Sequence, residues 1–316
     1  MNKRDMLHTL KNTTLNDLPY ILVPSYNRPD FKFASKILTH FSDAGLQKVF
    51  IFVREEQYKT YKSQNPWLQY EIIPKGAVDG VGSTRNFLLE YAIKNRLPVV
   101  MDMDDDVHTL QFLYNTTTDK GELVSRHSTM DMWQKYSHLP QRILQLAGSI
   151  AKEVFKNHPE VAVGNIRKQR FSGDRSCGET KYMINKGPTA RQTKILNVKL
   201  CKKQRLLVPE EFNLHGDDIG FVAEVLQRGF SCFNIPCLCY DYVDEKLNSV
   251  VRDPKNEESN RWLHQLEYEA LQKMEIGKQG YLRETFKFDD GQYKFGDVNW
   301  QKYHKAHSTN PVVERW

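Results

Sequence analysis

Gly80-Val81-Gly82-Ser83-Thr84-Arg85-Asn86-Phe87-Leu88-Leu89-Glu90-Tyr91-Ala92-Ile93-Lys94-Asn95-Arg96-Leu97-Pro98-Val99-Val100-Met101-Asp102-Met103-Asp104-Asp105-Asp106 is the stretch whose reading decides the fold. A glycine-bearing turn leads into a helix predicted from about Thr84 to Asn95. Phe87, Leu88, Tyr91 and Ala92 recur at helical spacing and define its packing face. Pro98 ends the helix, and Val99-Val100-Met101 reads as a short buried strand. That strand runs directly into Asp102, Asp104, Asp105 and Asp106. Carboxylates crowded at the end of a buried strand repel one another, and a hard divalent cation with oxygen ligands relieves that repulsion. Taken alone, the same cluster also suits a solvated acidic turn or a helix N-cap.

Upstream, the pattern repeats. Tyr20–Val23 is an apolar strand closed by Pro24-Ser25-Tyr26-Asn27-Arg28-Pro29, and a helix is predicted over 33–44 with Gly45 ending it. Val49–Val53 is a second strand, followed by a helix to about Lys62, and Leu68–Ile73 is a third. Strand and helix therefore alternate through the first hundred residues. This order predicts a mostly parallel α/β sheet with helical crossovers, whose ligands sit at the carboxyl ends of the strands. The 24–28 loop, the Arg54-Glu55 turn and the aspartates all fall at those ends.

Downstream, a strand and turn are predicted over 107–118, an irregular loop over 119–127, and helices over 130–157 broken near Pro140. A strand follows at 160–165, then a long basic loop to Arg205 and a brief strand at Leu206–Pro209. Ile219, Val222, Ala223 and Leu226 form the apolar stripe of a helix beginning at Asp217 and stopping at Gly229. Residues 230–242 are β-prone, and 257–274 read as a helix. The predicted organisation is a leader over 1–18, mobile or a peripheral helix, a catalytic domain over 19–245, and a C-terminal extension over 246–316.

The chain has 316 residues, 40% of them hydrophobic, which is enough for a substantial core and excludes global disorder. No run is long enough for a membrane span, and the first residues lack a signal peptide's apolar region. Five scattered cysteines make no disulfide framework, so a reduced, cytoplasmic protein is expected. The net charge is only +6, but 165–205 carries twelve Lys or Arg against Asp174 and Glu179, an excess of ten positive charges. Such a segment favours a polyanion or phosphate groups, although a solubilising surface has the same composition.

Four spaced motifs carry a family resemblance: Val23-Pro24-Ser25-Tyr26-Asn27-Arg28, Gly80-x-Gly-x-x-Arg85-Asn86, Met101-Asp102-Met103-Asp104-Asp105-Asp106, and Gly216-Asp217-Asp218 opening a helix. Over roughly residues 19–240 the chain resembles GT-A nucleotide-sugar glycosyltransferases. It is most similar to the phage and kinetoplastid group that glycosylates hydroxymethylated pyrimidines in DNA. The four motifs do not extend into the tail beyond about residue 250.

The resemblance implies a nucleotide-sugar donor, with UDP the expected nucleotide, and Mn²⁺ or Mg²⁺ held by Asp104 and Asp106. A diphosphate leaving group needs its charge neutralised, and i, i+2 carboxylates on an extended segment point the same way. Pro24, Tyr26, Arg28, Arg85, Asn86 and Asp105 are expected on the donor, with Tyr26 and Arg28 on its base and Asp105 on its ribose or sugar. Asp217 and Asp218 are the candidate general bases. Asp217 is favoured as the residue entering the helix, and an N-cap pair accounts for both equally well. Arg167, Lys168, Arg170, Lys199, Lys202, Lys203 and Arg205 are expected along a DNA groove, with Phe171 and Tyr182 stacking on an extruded base. The alternatives are the same chemistry on a cell-wall or capsular glycan, and a non-catalytic binding module on a transferase scaffold. A phage-encoded enzyme would act in the host cytoplasm.

Overall fold

Four parallel strands from the first 103 residues form one side of the eleven-stranded main sheet. The structure, a computed structural model, describes residues 1–77, 80–168, 178–185, 193–242, 257–286, 294–307 and 311–316. Helix α1 (Lys3–Lys11) precedes β1 (Tyr20–Pro24). Three strand–helix alternations follow, through α2 (Asp43–Leu46), β2 (Val49–Arg54), α3 (Tyr58–Gln64), β3 (Gln69–Ile73), α4 (Val81–Lys94) and β4 (Val99–Met103). Their spatial order is β4-β1-β2-β3, and Ile21 lies opposite both Val49 and Met101. The alternation predicted for this region is what the chain builds.

Beyond β4 the sheet is mixed. The chain continues through β5 (Val107–Thr117), β6 (Leu123–His127), α5 (Asp131–Lys135), α6 (Leu139–Asn157), β7 (Val161–Lys168), β8 (Thr180–Ile184) and β9 (Thr193–Asn197). Next come α7 (Val198–Gln204), α8 (Asp217–Gln227) and the long strand β10 (Ser231–Tyr242). Strand β9 inserts antiparallel between β4 and β7, and β7 runs parallel to β10. Strands β5 and β8 pair antiparallel with β10.

The C-terminal region is α9 (Glu257–Lys273), α10 (Glu275–Lys278), the hairpin β11 (Leu282–Phe286) and β12 (Lys294–Val298), α11 (Trp300–Ala306) and β13 (Val312–Arg315). Strand β13 joins the main sheet beside β8, so the tail's last strand belongs to the central architecture.

The sheet separates two apolar layers, as period-2 side-chain alternation requires. Ile21, Val23, Ile51, Val53 and Met101 pack with Ile143, Leu144, Ala147 and Ile150 of α6. Leu22, Phe52 and Val100 pack on the opposite side with Leu88, Leu89 and Ala92 of α4 and Phe221, Val222 and Val225 of α8. Of the two readings of the leader, the structure shows the peripheral helix: α1 packs Met6 and Leu10 on the α6 layer and exposes its other face. No helix among the described residues is long and apolar enough to cross a membrane. The four described cysteines, all buried, form no disulfide.

Several local expectations are corrected. The helix predicted over 33–44 is broken into a π turn at Phe33–Ile37, a 3₁₀ turn at Leu38–His40 and the separate α2. The cause is Ser42, whose hydroxyl accepts from the Gly45 amide at 3.1 Å and starts a new helix. Gly45 thus lies inside α2, where an added Cβ would collide with Gln141 Oε1. The basic segment is no single loop, since it contains β8, β9 and α7, while Leu206–Pro209 forms no strand. Residues 123–127, expected in a loop, pair with β5.

Candidate functional site

The site grows from the last turn of β4. Asp102 is 3% exposed and lies opposite Lys194 across the β4–β9 ladder. Lys194 is 4% exposed; its Nζ is 3.7 Å from Asp102 Oδ2 and 2.8 Å from Asp217 Oδ2. Arg85, on the first turns of α4, donates to Asp102 and to Asp104, and its Nε reaches Asp217 Oδ2 at 3.3 Å. One guanidinium therefore ties together the end of β4 and the start of α8.

Burial and charge compete at each of these groups. Desolvation raises the Asp102 carboxyl, and Arg85 and Lys194 only partly counter it. Desolvation also acts to raise Asp217, but Lys194 and Arg85 outweigh it and hold this carboxyl well below the ordinary range. Burial works against the charged form of Arg85 too, yet Asp102, Asp104 and Asp217 keep it firmly protonated. Lys194 stays a cation for the same reason: burial and Arg85 oppose its charge, and the three carboxylates prevail. Removing one member of such a network strands its partners' charges away from water.

Asp104 and Asp106 are half-buried, and Asp105 between them is 6% exposed. The segment is a turn rather than an extended strand. Asp105 is directed inward, accepting from Ser25 Oγ and from Arg28 Nη1 at 2.7 Å. In this arrangement Asp105 holds the loop after β1. The hydroxyl of Tyr61 completes that anchor, 2.8 Å from Ser25 Oγ and accepting from the Arg28 amide at 2.8 Å. Burial pushes the Tyr61 phenol up to about 12, so it stays protonated. The loop turns at Asn27 in the left-handed region (φ 54°), a conformation asparagine tolerates. The Arg54 guanidinium lies 4.2 Å above the Tyr26 ring. Pro24, Tyr26 and Arg28 thus stand together at the carboxyl ends of β1 and β2.

The two glycines of the Gly80-x-Gly82 motif admit a close neighbour. Asn213 takes the start of α4: its carbonyl accepts from the Gly82 amide at 3.1 Å and its Oδ1 from the Ser83 amide at 2.7 Å. A Cβ at Gly80 would collide with the Asn213 carbonyl oxygen. Gly80→Ala is therefore expected to cost about 1–3 kcal/mol, measured by urea denaturation, and unchanged stability would show that the 210–213 turn is free to move. Asn86, expected on the donor, is committed to the backbone of Val208, donating at 3.0 Å and accepting at 2.7 Å.

Helix α8 follows Gly216, which is left-handed (φ 75°). Asp217 and Asp218 are both half-buried. Asp217 is committed to Arg85 and Lys194, whereas Asp218 Oδ1 accepts from the neighbouring Ile219 amide at 2.9 Å.

Four carboxylates (Asp102, Asp104, Asp105 and Asp217) share three cations (Arg28, Arg85 and Lys194) in the ion pairs seen among the described residues. Asp104 and Asp106 offer hard oxygen donors at the exposed side of this network, a donor set that suits Mg²⁺ or Mn²⁺.

The expected DNA-contacting residues do not form one surface. Val163 and Gly164 align through β9 with Val100 and Met101, so β7 runs in the direction of β4. Arg167 and Lys168 therefore lie level with the aspartate turn, two strand spacings or roughly 10 Å across the sheet. Lys168 packs on the Tyr242 ring at 3.6 Å. Helix α7 instead starts where Asn197 faces Val99, at the opposite end of β4. Lys199, Lys202, Lys203 and Arg205 are exposed there, away from the site. Tyr182 is 3% exposed and unavailable for stacking. Arg170 and Phe171 lie outside the described residues.

Lys194, Asn213 and Tyr61 carry no signal in the sequence that marks them for the site, whereas Ser25 lies inside the quoted 23–28 motif.

Residues 20–169 match the model of the TET-Associated Glycosyltransferase family. No curated protein matches the chain in sequence. Among solved structures, TarS 1-349 of S. aureus in complex with UDP-GlcNAc is similar at 13% identity and TM-score 0.45, over 82% of this chain and 68% of that one. The mannosyltransferase PcManGT of Pyrobaculum calidifontis, in complex with GDP-Man and Mn²⁺, is similar at 10% identity and TM-score 0.41, over 85% and 68%. GalNAc-T7 with UDP, GalNAc and Mn²⁺ gives 9% identity and TM-score 0.46, over 94% and 57%. These three likenesses carry no part of the assignment. The family match does: it spans β1 to β7 with the 24–28 loop, Arg85 and the aspartate turn, just under half of the chain, and it supports reading the chain as a glycosyltransferase.

Proposed function

We propose that the protein transfers a sugar from a UDP-sugar to a hydroxymethylated pyrimidine in DNA, with a divalent cation at Asp104 and Asp106. The observation that carries this reading is the charge network at the end of β4, where Arg85 joins Asp102, Asp104 and Asp217. A cation bound there supplies electrostatic stabilisation to the departing diphosphate. Arg85 fixes the Asp104 carboxylate, and Asp105 fixes Arg28 at the side where the nucleoside is bound. Tyr26, under Arg54, offers a ring to the nucleobase.

The base role falls to Asp218. A carboxyl held far below its ordinary range by two cations has little affinity for a proton, and Asp217 is in that position. Asp217 is then a positioning residue, keeping α8 docked on Arg85 and Lys194.

The acceptor reading rests on the family description and on Arg167 and Lys168, level with the aspartate turn. A glycan acceptor is the second reading, favoured by the placement of α7 and its four basic residues at the far end of β4. Transfer to hydroxymethylated duplex DNA separates them. Arg167→Ser with Lys168→Ser is expected to weaken DNA use several-fold and to flatten its salt dependence by about one power of salt for each phosphate no longer neutralised. Serines at 199, 202, 203 and 205 are expected to leave transfer within twofold. If neither variant changes transfer across a range of salt, the glycan reading stands.

A further inference from the structure

We infer that the protein holds a second, transition-metal centre at His215, His264 and Glu267, apart from the aspartate turn. The three residues come from two elements: His215 precedes α8, and His264 and Glu267 sit at i, i+3 on α9. Helical geometry puts the latter two on one face. Each offers one ligand atom, and the three atoms lie within 4.8 Å of one another. His215 Nε2 is 3.2 Å from Glu267 Oε2, and the two imidazole rings meet edge-on at 4.9 Å. Glu267 is 6% exposed, and a Cβ on the left-handed Gly216 would come within 2.7 Å of its side chain. The backbone between His215 and Asp217 is therefore pressed against the glutamate.

Metal–ligand lengths near 2.0–2.2 Å put tetrahedral donors roughly 3.4 Å apart. The His215–Glu267 pair already meets that spacing, and the widest pair of the set has to close by at most about 1.4 Å. Two imidazoles and one carboxylate select Zn²⁺, Co²⁺ or Ni²⁺ over Mg²⁺ or Ca²⁺. The aspartate turn offers oxygen alone. Arg85, bonded to both Asp104 and Asp217, lies between the turn and the 215–217 segment, so the two donor sets do not merge. The centre's effect is positional: it clamps α9 onto the segment that carries Asp217 and Asp218.

The test uses the full chain, stripped by chelation and titrated with Co²⁺ and then Zn²⁺. The expected result is one Co²⁺ per chain, besides any taken up by the aspartate turn, with the visible bands of a four- or five-coordinate ion, bleached by Zn²⁺. The bands should persist in a double variant with Asp104→Asn and Asp106→Asn. Affinity should fall at least tenfold in His264→Gln and in Glu267→Gln, whose metal-free melting temperatures serve as the folding control. Zn²⁺ should raise the melting temperature of the wild type and not of the His264→Gln variant. Bands that survive His264→Gln and Glu267→Gln, or that vanish in the Asp104/Asp106 variant, would overturn the assignment. Absence of bands in the wild type would do the same and reduce the cluster to a His215–Glu267 ion pair.

Discussion

Asp217→Asn is expected to destabilise the fold by about 3–5 kcal/mol, because it removes the nearest carboxylate to the buried Lys194 and one of the three carboxylates on Arg85. Asparagine keeps the shape and much of the capping ability, so the loss reports the charge. The pH dependence has a defined sign. A carboxyl whose folded value is depressed adds stability above its unfolded value of 3.8, and that stability drains as pH falls toward the folded value. The gap between wild type and Asp217→Asn in urea denaturation should be full at neutral pH and narrow below about pH 4. A gap that widens in acid would contradict this ion-pair account. Asp218→Asn is expected to behave differently, staying folded and binding donor while kcat falls by about two to four orders of magnitude.

Removal of the cation is expected to have the largest effect on turnover. Loss of about 4 kcal/mol of leaving-group stabilisation lowers kcat by roughly three orders of magnitude. Asp106→Asn is the cleaner probe, because Asp104 also carries the Arg85 contact and its replacement disturbs the buried network. Asp105→Asn should act through the loop instead. With Arg28 no longer held, the Michaelis constant for donor should rise while dependence on metal persists. Full activity of the wild type in chelator would remove the cation from the mechanism.

The site's location is legible in the sequence because Val99-Val100-Met101 is apolar and the carboxylates follow it directly. Carboxylates crowded at a buried strand end require cations to offset their repulsion. The detailed roles are less accessible. The i, i+2 rule favours Asp104 and Asp106, but it assumes an extended segment and the chain turns there. That Asp105 faces inward depends on Ser25 and Arg28, some eighty residues away. By sequence, Lys194 is only one charge among twelve. Its partnership with Asp102 exists because β9 inserts between β4 and β7, a non-local pairing with no periodic signature. Charge density along the chain likewise cannot say which end of a sheet it occupies, and β9 carries the chain about 13 Å from one end to the other. The segment after Pro29 reads as one helix because its apolar spacing is helical, while Ser42 supplies a competing cap that divides it.

The most direct measurement of the central claim is sugar transfer itself. Radiolabelled UDP-sugars are incubated with the full chain, Mn²⁺ and duplex DNA that carries either hydroxymethylated or ordinary pyrimidines. Label should enter only the hydroxymethylated DNA, should require the metal, and should be lost in Asp106→Asn and Asp218→Asn. Label that enters a glycan acceptor and never DNA would contradict the assigned acceptor, and transfer undiminished in both variants would contradict the assigned site.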